Sequence, residues 1–260
     1  MVGDTNMRNF FLLSCIISLS CCPALSSQQY IQQLHEQQYQ KQQKVNSTVQ
    51  QISSVNQKTV SGDYNKYYQE ALKQIEQNNM YGAQTSLCKA LEIKLDFFNA
   101  IKTRGAVRNR LGNYNGAIQD FNNAISLKSN DGDLYYGRGF AKLALQNYSE
   151  AVQDFNKAIE LNPSDYEAYH QRGYSYCLWG KSTNTPEYFK KAIADFNKTL
   201  SLHAKNTEAH LYRGMAYAEL WGAAKGKAEI EYAMQQYKQD GDEAGYQRSK
   251  EIYNWIMNDY

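Results

Sequence analysis

The sequence has no strong excess of charge of either sign. Its 260 residues include 28 Lys and Arg against 26 Asp and Glu, which gives a formal net charge of +2 at pH 7. Proteins that bind nucleic acid or an anionic membrane surface usually carry a larger and more localised positive charge. The charge balance therefore argues against both as partners.

Motifs for catalysis, metal binding and phosphate binding are also missing. The four histidines show no ligand spacing, and the sequence has no HExxH, no cysteine pair at zinc-site spacing, no glycine-rich phosphate loop and no GxSxG. We therefore expect no enzyme activity, no small-molecule substrate, no metal and no cofactor.

Residues 1–27 differ in composition from the rest of the chain. Arg8 precedes the apolar run Phe10 to Leu19, and cysteines, a proline and small residues follow it. A run of about ten apolar residues is short for a membrane span but typical of a signal peptide, here cleaved near Ala24 or Ser26. We expect export to a periplasm, a lumenal compartment or the extracellular space. A retained or lipidated segment is the alternative that would place the protein at a membrane.

Residues 28–63 form a second compositional segment, with twelve glutamines between Gln28 and Gln57. This composition predicts a linker that is largely disordered. A weak helix folded against the structure that follows is the alternative, because apolar residues occur at helical spacing at Ile31, Leu34, Val45, Val49 and Ile52.

A pattern of 34 residues recurs after this linker. In the stretch from Gly132 to Asp165, small residues, aromatics and a proline occupy fixed positions: Tyr135, Gly139, Ala151, Phe155, Ala158 and Pro163. This stretch resembles a tetratricopeptide repeat, a unit of two helices joined by a turn. The small residues allow the helices to approach closely, whereas the apolar stripe of the second helix must be covered by a neighbouring copy.

Copies in the same register predict five units, at 64–97, 98–131, 132–165, 166–206 and 207–240. The resemblance implies an all-α fold, a right-handed α-solenoid. The fourth unit has a seven-residue insertion, Lys181 to Glu187, which predicts a protruding loop before the second helix restarts at Pro186. Apolar residues at helical spacing predict a C-terminal capping helix within 241–260.

Only two cysteines follow residue 27, namely Cys88 and Cys177. They occupy different positions of units that are not adjacent, beyond the reach of a disulfide bond in a solenoid. We expect both thiols to be free.

Charged residues of opposite sign recur at matching positions of the last four units. Arginine occupies position 7 and a carboxylate position 23, whereas the first unit lacks both. Their shared presence predicts a structural ion pair inside each unit, and a row of arginines presented to an acidic ligand is the alternative. The pairs are Arg104 with Asp120, Arg138 with Asp154, Arg172 with Asp195, and Arg213 with Glu229.

The resemblance also implies a binding surface, because repeats of this kind hold a protein or peptide in a concave groove formed by their first helices. In such repeats positions 2, 5, 9, 12 and 13 of the first helix face inward, which predicts a groove lined by Lys102, Asn109, Arg110, Tyr136, Phe140, His170, Tyr174, Leu211 and Met215. A basic side next to an aromatic centre suits an extended segment with an apolar anchor and an acidic neighbour. Packing of the aromatics between repeats is the alternative.

Two functions are consistent with these features. The first is an exported scaffold that binds a protein or peptide partner. The second is a structural or assembly role, in which the terminal segments self-associate or tether the protein.

Overall fold

The computed structural model describes residues 63–259, with the side chains of residues 63–258. The predicted signal peptide and all of the linker except Asp63 lie outside the described residues. The described part contains eleven α-helices and no strand, which confirms the all-α class. The helices are α1 Tyr64–Glu76, α2 Met80–Ile93, α3 Phe98–Arg110, α4 Tyr114–Leu127, α5 Gly132–Ala144, α6 Tyr148–Leu161, α7 Tyr166–Thr183, α8 Pro186–Leu202, α9 Thr207–Trp221, α10 Ala223–Asp240 and α11 Glu243–Asp259.

Acidic and amide side chains set the first residue of several helices. The Asp63 carboxylate accepts hydrogen bonds from the backbone N–H groups of Asn65 and Lys66 at the start of α1. Asp165 does the same for Glu167 and Ala168 at the start of α7. These bonds satisfy N–H groups that have no partner inside the helix. The first helices of the five predicted repeats begin at residues 64, 98, 132, 166 and 207.

The helices form an α-solenoid. Each helix packs against the next along the chain, and α3, α5, α7, α9 and α11 also contact one another in sequence. The odd-numbered helices from α3 onward therefore form one continuous row, and α11 takes the last place in it.

The core consists of small and apolar side chains between paired helices. Ala151 and Phe155 on α6 are fully buried. A Cβ atom added to Gly139 on α5 would lie 3.0 Å from the Phe155 ring. The third repeat therefore has no room for a larger side chain at this contact.

The insertion in the fourth repeat does not form the predicted protruding loop. Helix α7 continues to Thr183, and only Asn184 and Thr185 separate it from α8, which begins at Pro186. The extra helical turn is stabilised because the Trp179 ring stacks on Tyr188 with their centroids 4.1 Å apart. The insertion thus lengthens both helices of the repeat.

Candidate functional site

The four predicted ion pairs are present. In the third repeat, Arg138 Nε donates to Asp154 Oδ2 at 2.9 Å and Nη2 donates to Oδ1 at 2.6 Å. Arg104 and Arg172 hold their aspartates in the same two-pronged way, at 2.6 to 3.0 Å. Arg213 Nη2 donates to Glu229 Oε1 at 2.6 Å. The three aspartates are buried.

The third nitrogen of each guanidinium contacts the preceding repeat. The Nη1 atoms of Arg138, Arg172 and Arg213 donate to asparagine oxygens at 2.6 to 2.7 Å, and Arg104 Nη1 lies 3.7 Å from the sulfur of Cys88. Within the described residues, Arg213 Nε alone among the nitrogens of these four groups is buried without a hydrogen-bond partner. Because the other nitrogens contact side chains of the same and the preceding repeat, the row of arginines is structural. The acceptors at position 25 were not predicted; they are Cys88, Asn122, Asn156 and Asn197.

Five of the predicted groove residues lie around a first pocket between α3 and α5, with a volume of about 480 Å³. Its lining mixes apolar surface with charged side chains. It is formed by Lys102, Ala106, Asn109, Arg110, Phe121, Asp133, Tyr136, Gly137 and Phe140.

The free positive charge of the first pocket belongs to Arg110. Lys102 Nζ is held by Asp131 at 2.9 Å and by Asp133 at 2.7 Å, which largely neutralises it. Arg110 is exposed, and within the described side chains it has no ion-pair partner. Asn109 donates to the carbonyl of Gly137 at 2.8 Å, and its Oδ1 atom is buried without a hydrogen-bond partner. The pocket can therefore accept an anionic group beside an apolar surface.

A second pocket of about 500 Å³ lies between α5, α7 and α9. It shares Phe140 with the first pocket, so the two adjoin along α5. Its lining consists of Phe140, Leu143, Ala144, Gln146, Tyr148, His170, Gln171, Tyr174, Leu178, Glu208 and Tyr212.

Aromatic rings and a buried histidine form the wall of the second pocket. The ring centroids of Tyr174 and Tyr212 are 4.6 Å apart, and burial raises the pKa of Tyr212 to about 12. His170 is 5% exposed, and its Nε2 atom lies 3.7 Å from Glu208 Oε2. Burial lowers the pKa of His170 although Glu208 opposes that effect, so the imidazole is neutral at pH 7.

The half-buried tyrosines both pack and face the pockets. Tyr136 makes an edge-on contact with Phe155, with centroids 5.9 Å apart, and still lines the first pocket. Tyr174 contacts Tyr212 on the next odd-numbered helix and lines the second pocket. The predicted aromatic centre therefore contributes to repeat packing and to the pocket surface together.

The prediction was wrong for Leu211 and Met215. Both residues are buried, at 0% and 7% exposure, and neither lines the first or the second pocket. The reason is that α11 packs beside α9, and its apolar residues cover this face: Ile252, Trp255 and Ile256.

Several residues that line the pockets were missed. Asp133 and Glu208 occupy position 2 of their repeats, an inward position in such repeats, so the same positional rule could have found them. Gly137, Gln171 and Tyr212 occupy position 6, which the rule does not include. They line the pockets because each lies at the contact between its own helix and a neighbouring odd-numbered helix.

Three family models match overlapping parts of the chain. Two described as tetratricopeptide repeat match residues 132–165 and 155–184, and one described as TPR repeat matches residues 105–146. The chain contains tetratricopeptide repeats. Comparison with curated proteins gives no match.

Solved structures of tetratricopeptide repeat proteins share the fold. MamA from Desulfovibrio magneticus RS-1 is 18% identical, with a TM-score of 0.60 over 69% of this chain and 98% of that chain. YrrB, described as a TPR protein with an unusual peptide-binding site, is 23% identical, with a TM-score of 0.56 over 73% and 92%. A repeat protein from Parabacteroides merdae is 18% identical, with a TM-score of 0.61 over 75% and 73%.

Two further observations concern residues 63–259. None of their helices is long and apolar enough to cross a membrane. They also contain no group of three His, Cys, Asp or Glu side chains that could hold a metal ion.

Proposed function

We propose that this tetratricopeptide repeat protein is a scaffold that binds an extended segment of a protein partner along its odd-numbered helices. The observation that carries the proposal is the pair of adjoining pockets, which together follow α3, α5, α7 and α9. A row of pockets suits an extended chain, because successive side chains of that chain can enter successive pockets. The peptide-binding site of YrrB, which has the same fold, supports this mode of binding.

The first pocket defines part of the partner's sequence. An apolar side chain fits against Tyr136 and Phe140, and an acidic neighbour fits beside Arg110, whose charge is not used by another residue of the described chain. Because Lys102 is already held by two aspartates, it adds little attraction for an acidic ligand. Arg110 therefore carries the preference for acid.

Export is part of the proposal. The apolar run and small residues within residues 1–27 support a signal peptide. The two cysteines of the described residues are free thiols, so the repeats need no disulfide bond in an exported compartment. We place the function in a periplasm, a lumenal compartment or the extracellular space.

Assembly through the terminal helix is the weaker alternative. The apolar residues Ile252 and Ile256 of α11 pack inside the chain against α9 and α10, which leaves little of that face to bind a second copy. The contacts of α11 therefore favour the scaffold.

The test is selection of displayed random peptides on the full chain. We expect enrichment of peptides in which an acidic residue stands beside an aromatic or aliphatic residue. Arg110→Gln should weaken their binding about fivefold to tenfold, whereas Lys250→Gln, an exposed change on α11, should not. The proposal is wrong if no peptide is enriched, or if Arg110→Gln and Lys250→Gln behave alike.

A further inference from the structure

The second pocket has an unusual lining for an apolar anchor site. Four aromatic side chains line it, those of Phe140, Tyr148, Tyr174 and Tyr212. Glu208 is the one lining residue with a formal charge at pH 7. Faces of aromatic rings carry negative electrostatic potential, and rings arranged around a pocket attract cations. The aromatic rings and the Glu208 carboxylate therefore both favour a cationic ligand.

His170 adds no positive charge to this wall. Its Nε2 atom lies 3.7 Å from Glu208 Oε2, and its Nδ1 atom is buried without a hydrogen-bond partner among the described residues. Burial disfavours the imidazolium form, so the wall contains no histidine cation that would repel a positively charged ligand.

The carboxylate of Glu208 can accept further hydrogen bonds. Its side chain is 46% exposed, and its Oε1 atom accepts from Arg248 Nη1 at 2.8 Å. Its Oε2 atom is the one that faces His170, at a distance too long for a hydrogen bond. Because an ionised carboxylate offers about four acceptor positions, the contact with Arg248 leaves capacity for another donor.

We propose that the second pocket binds a cationic side chain, lysine or arginine, of the bound partner. This inference rests on the proposed function, because it assigns a second anchor to the same partner segment. An acidic side chain would be repelled by Glu208, and a purely apolar one would leave the free acceptor positions of Glu208 without a donor from the partner. A cation meets the ring faces and the carboxylate together.

The spacing of the two anchors follows from the helix packing. Neighbouring helices in contact lie about 10 Å apart, and an extended chain advances about 3.3 Å per residue. The basic residue of the partner therefore stands about three residues from the apolar residue that fills the first pocket.

The test uses two probes that differ in one group. The full chain is titrated with N-acetyl-lysine methylamide and with N-acetyl-norleucine methylamide, which replaces the ammonium by a methyl group. Binding is followed by the imidazole nitrogen signals of His170 in NMR spectra. We expect a dissociation constant of about 1 mM for the lysine probe and binding at least about fivefold weaker for norleucine.

Two substitutions should act in opposite directions. Glu208→Gln should weaken binding of the lysine probe about threefold to fivefold. Arg248→Gln should strengthen that binding, because the substitution removes the cation that competes for Glu208. Glu187→Gln, an exposed change on α8, is the control. Equal binding of the two probes, no binding of lysine in the low millimolar range, or no response to Glu208→Gln would each overturn the proposal.

These outcomes are separate from those of the peptide selection. If lysine binds here but no peptide is enriched, the pocket is specific for cations and the scaffold function fails. If peptides are enriched without a basic residue at the expected spacing, and norleucine binds as well as lysine, the scaffold function stands and the cation pocket is refuted.

Discussion

Arg172 donates a 2.7 Å hydrogen bond to Asn156, which lies on the second helix of the preceding repeat. The same guanidinium holds Asp195 in its own repeat through its other two nitrogens. One side chain therefore joins three helices from two repeats. This arrangement recurs in the third and fifth repeats, so polar contacts as well as apolar packing determine how neighbouring repeats meet.

Removing one member of a buried pair should destabilise the fold strongly. Asp154→Ala leaves the guanidinium of Arg138 and the ammonium of Lys142 close together, in partly buried positions, without the carboxylate that both contact. We expect the free energy of unfolding to fall by about 3 to 5 kcal/mol, measured by urea denaturation. Glu160→Ala, which removes an exposed ion pair, should change it by less than about 1 kcal/mol. Similar losses in the two variants would contradict a structural role for the pair.

The close contact between the helices of the third repeat should not tolerate a larger side chain. Ala151 is fully buried beside Leu143 and Phe155, so Ala151→Leu should lower the free energy of unfolding by about 1 to 3 kcal/mol. Ala228→Leu, at an exposed position of α10, serves as the control and should leave the melting temperature nearly unchanged. An unchanged melting temperature for Ala151→Leu would show that this contact is not tight.

Acidification should destabilise the protein through His170. Because burial lowers the pKa of His170 below its ordinary value of 6.5, the unfolded chain binds a proton more readily than the folded chain as the pH falls below 6.5. Stability from this residue is complete above that pH and decreases toward the lower folded-state pKa, by at most about 1.4 kcal/mol per pH unit. His170→Gln should therefore reduce the change in the free energy of unfolding between pH 7 and pH 5, measured by urea denaturation. The exposed His203→Gln should leave it intact, and an equal change in both variants would refute the assignment.

The last helix should stabilise the repeats through one face. Ile256 is fully buried against α9 and α10, and Ile256→Ala should cost about 2 to 5 kcal/mol in the free energy of unfolding. Met257 is 43% exposed, so Met257→Ala should cost less than about 1 kcal/mol. If thermal denaturation gave the same shift for both variants, the assignment of the buried face would be wrong.

The sequence predicts the repeats well because their signals are local and periodic. Alanine, glycine and aromatic residues recur where helices must approach closely, and Gly139 lies against Phe155 for that reason. The ion pairs were equally predictable, since a charge at one position of the first helix occurs together with its partner on the second. Both patterns depend on contacts that lie inside one repeat or at an interface that recurs from one repeat to the next.

The exceptions depend on contacts that occur only once in the chain. Leu211 and Met215 have positions that face a groove in the other repeats, but here α11 lies over them. The insertion became helix because Trp179 and Tyr188 stack across it. No repeat position encodes either contact, so a rule based on periodicity could not predict them.

Phe140 lines both pockets. If a partner segment fills both pockets as proposed, we expect its first anchor to restrict the rotamers of the Phe140 ring, so that the second anchor meets a side chain whose entropy is already reduced. Such a segment should bind more tightly than its halves suggest. Two short ligands in different pockets should then influence each other through this one ring, without touching.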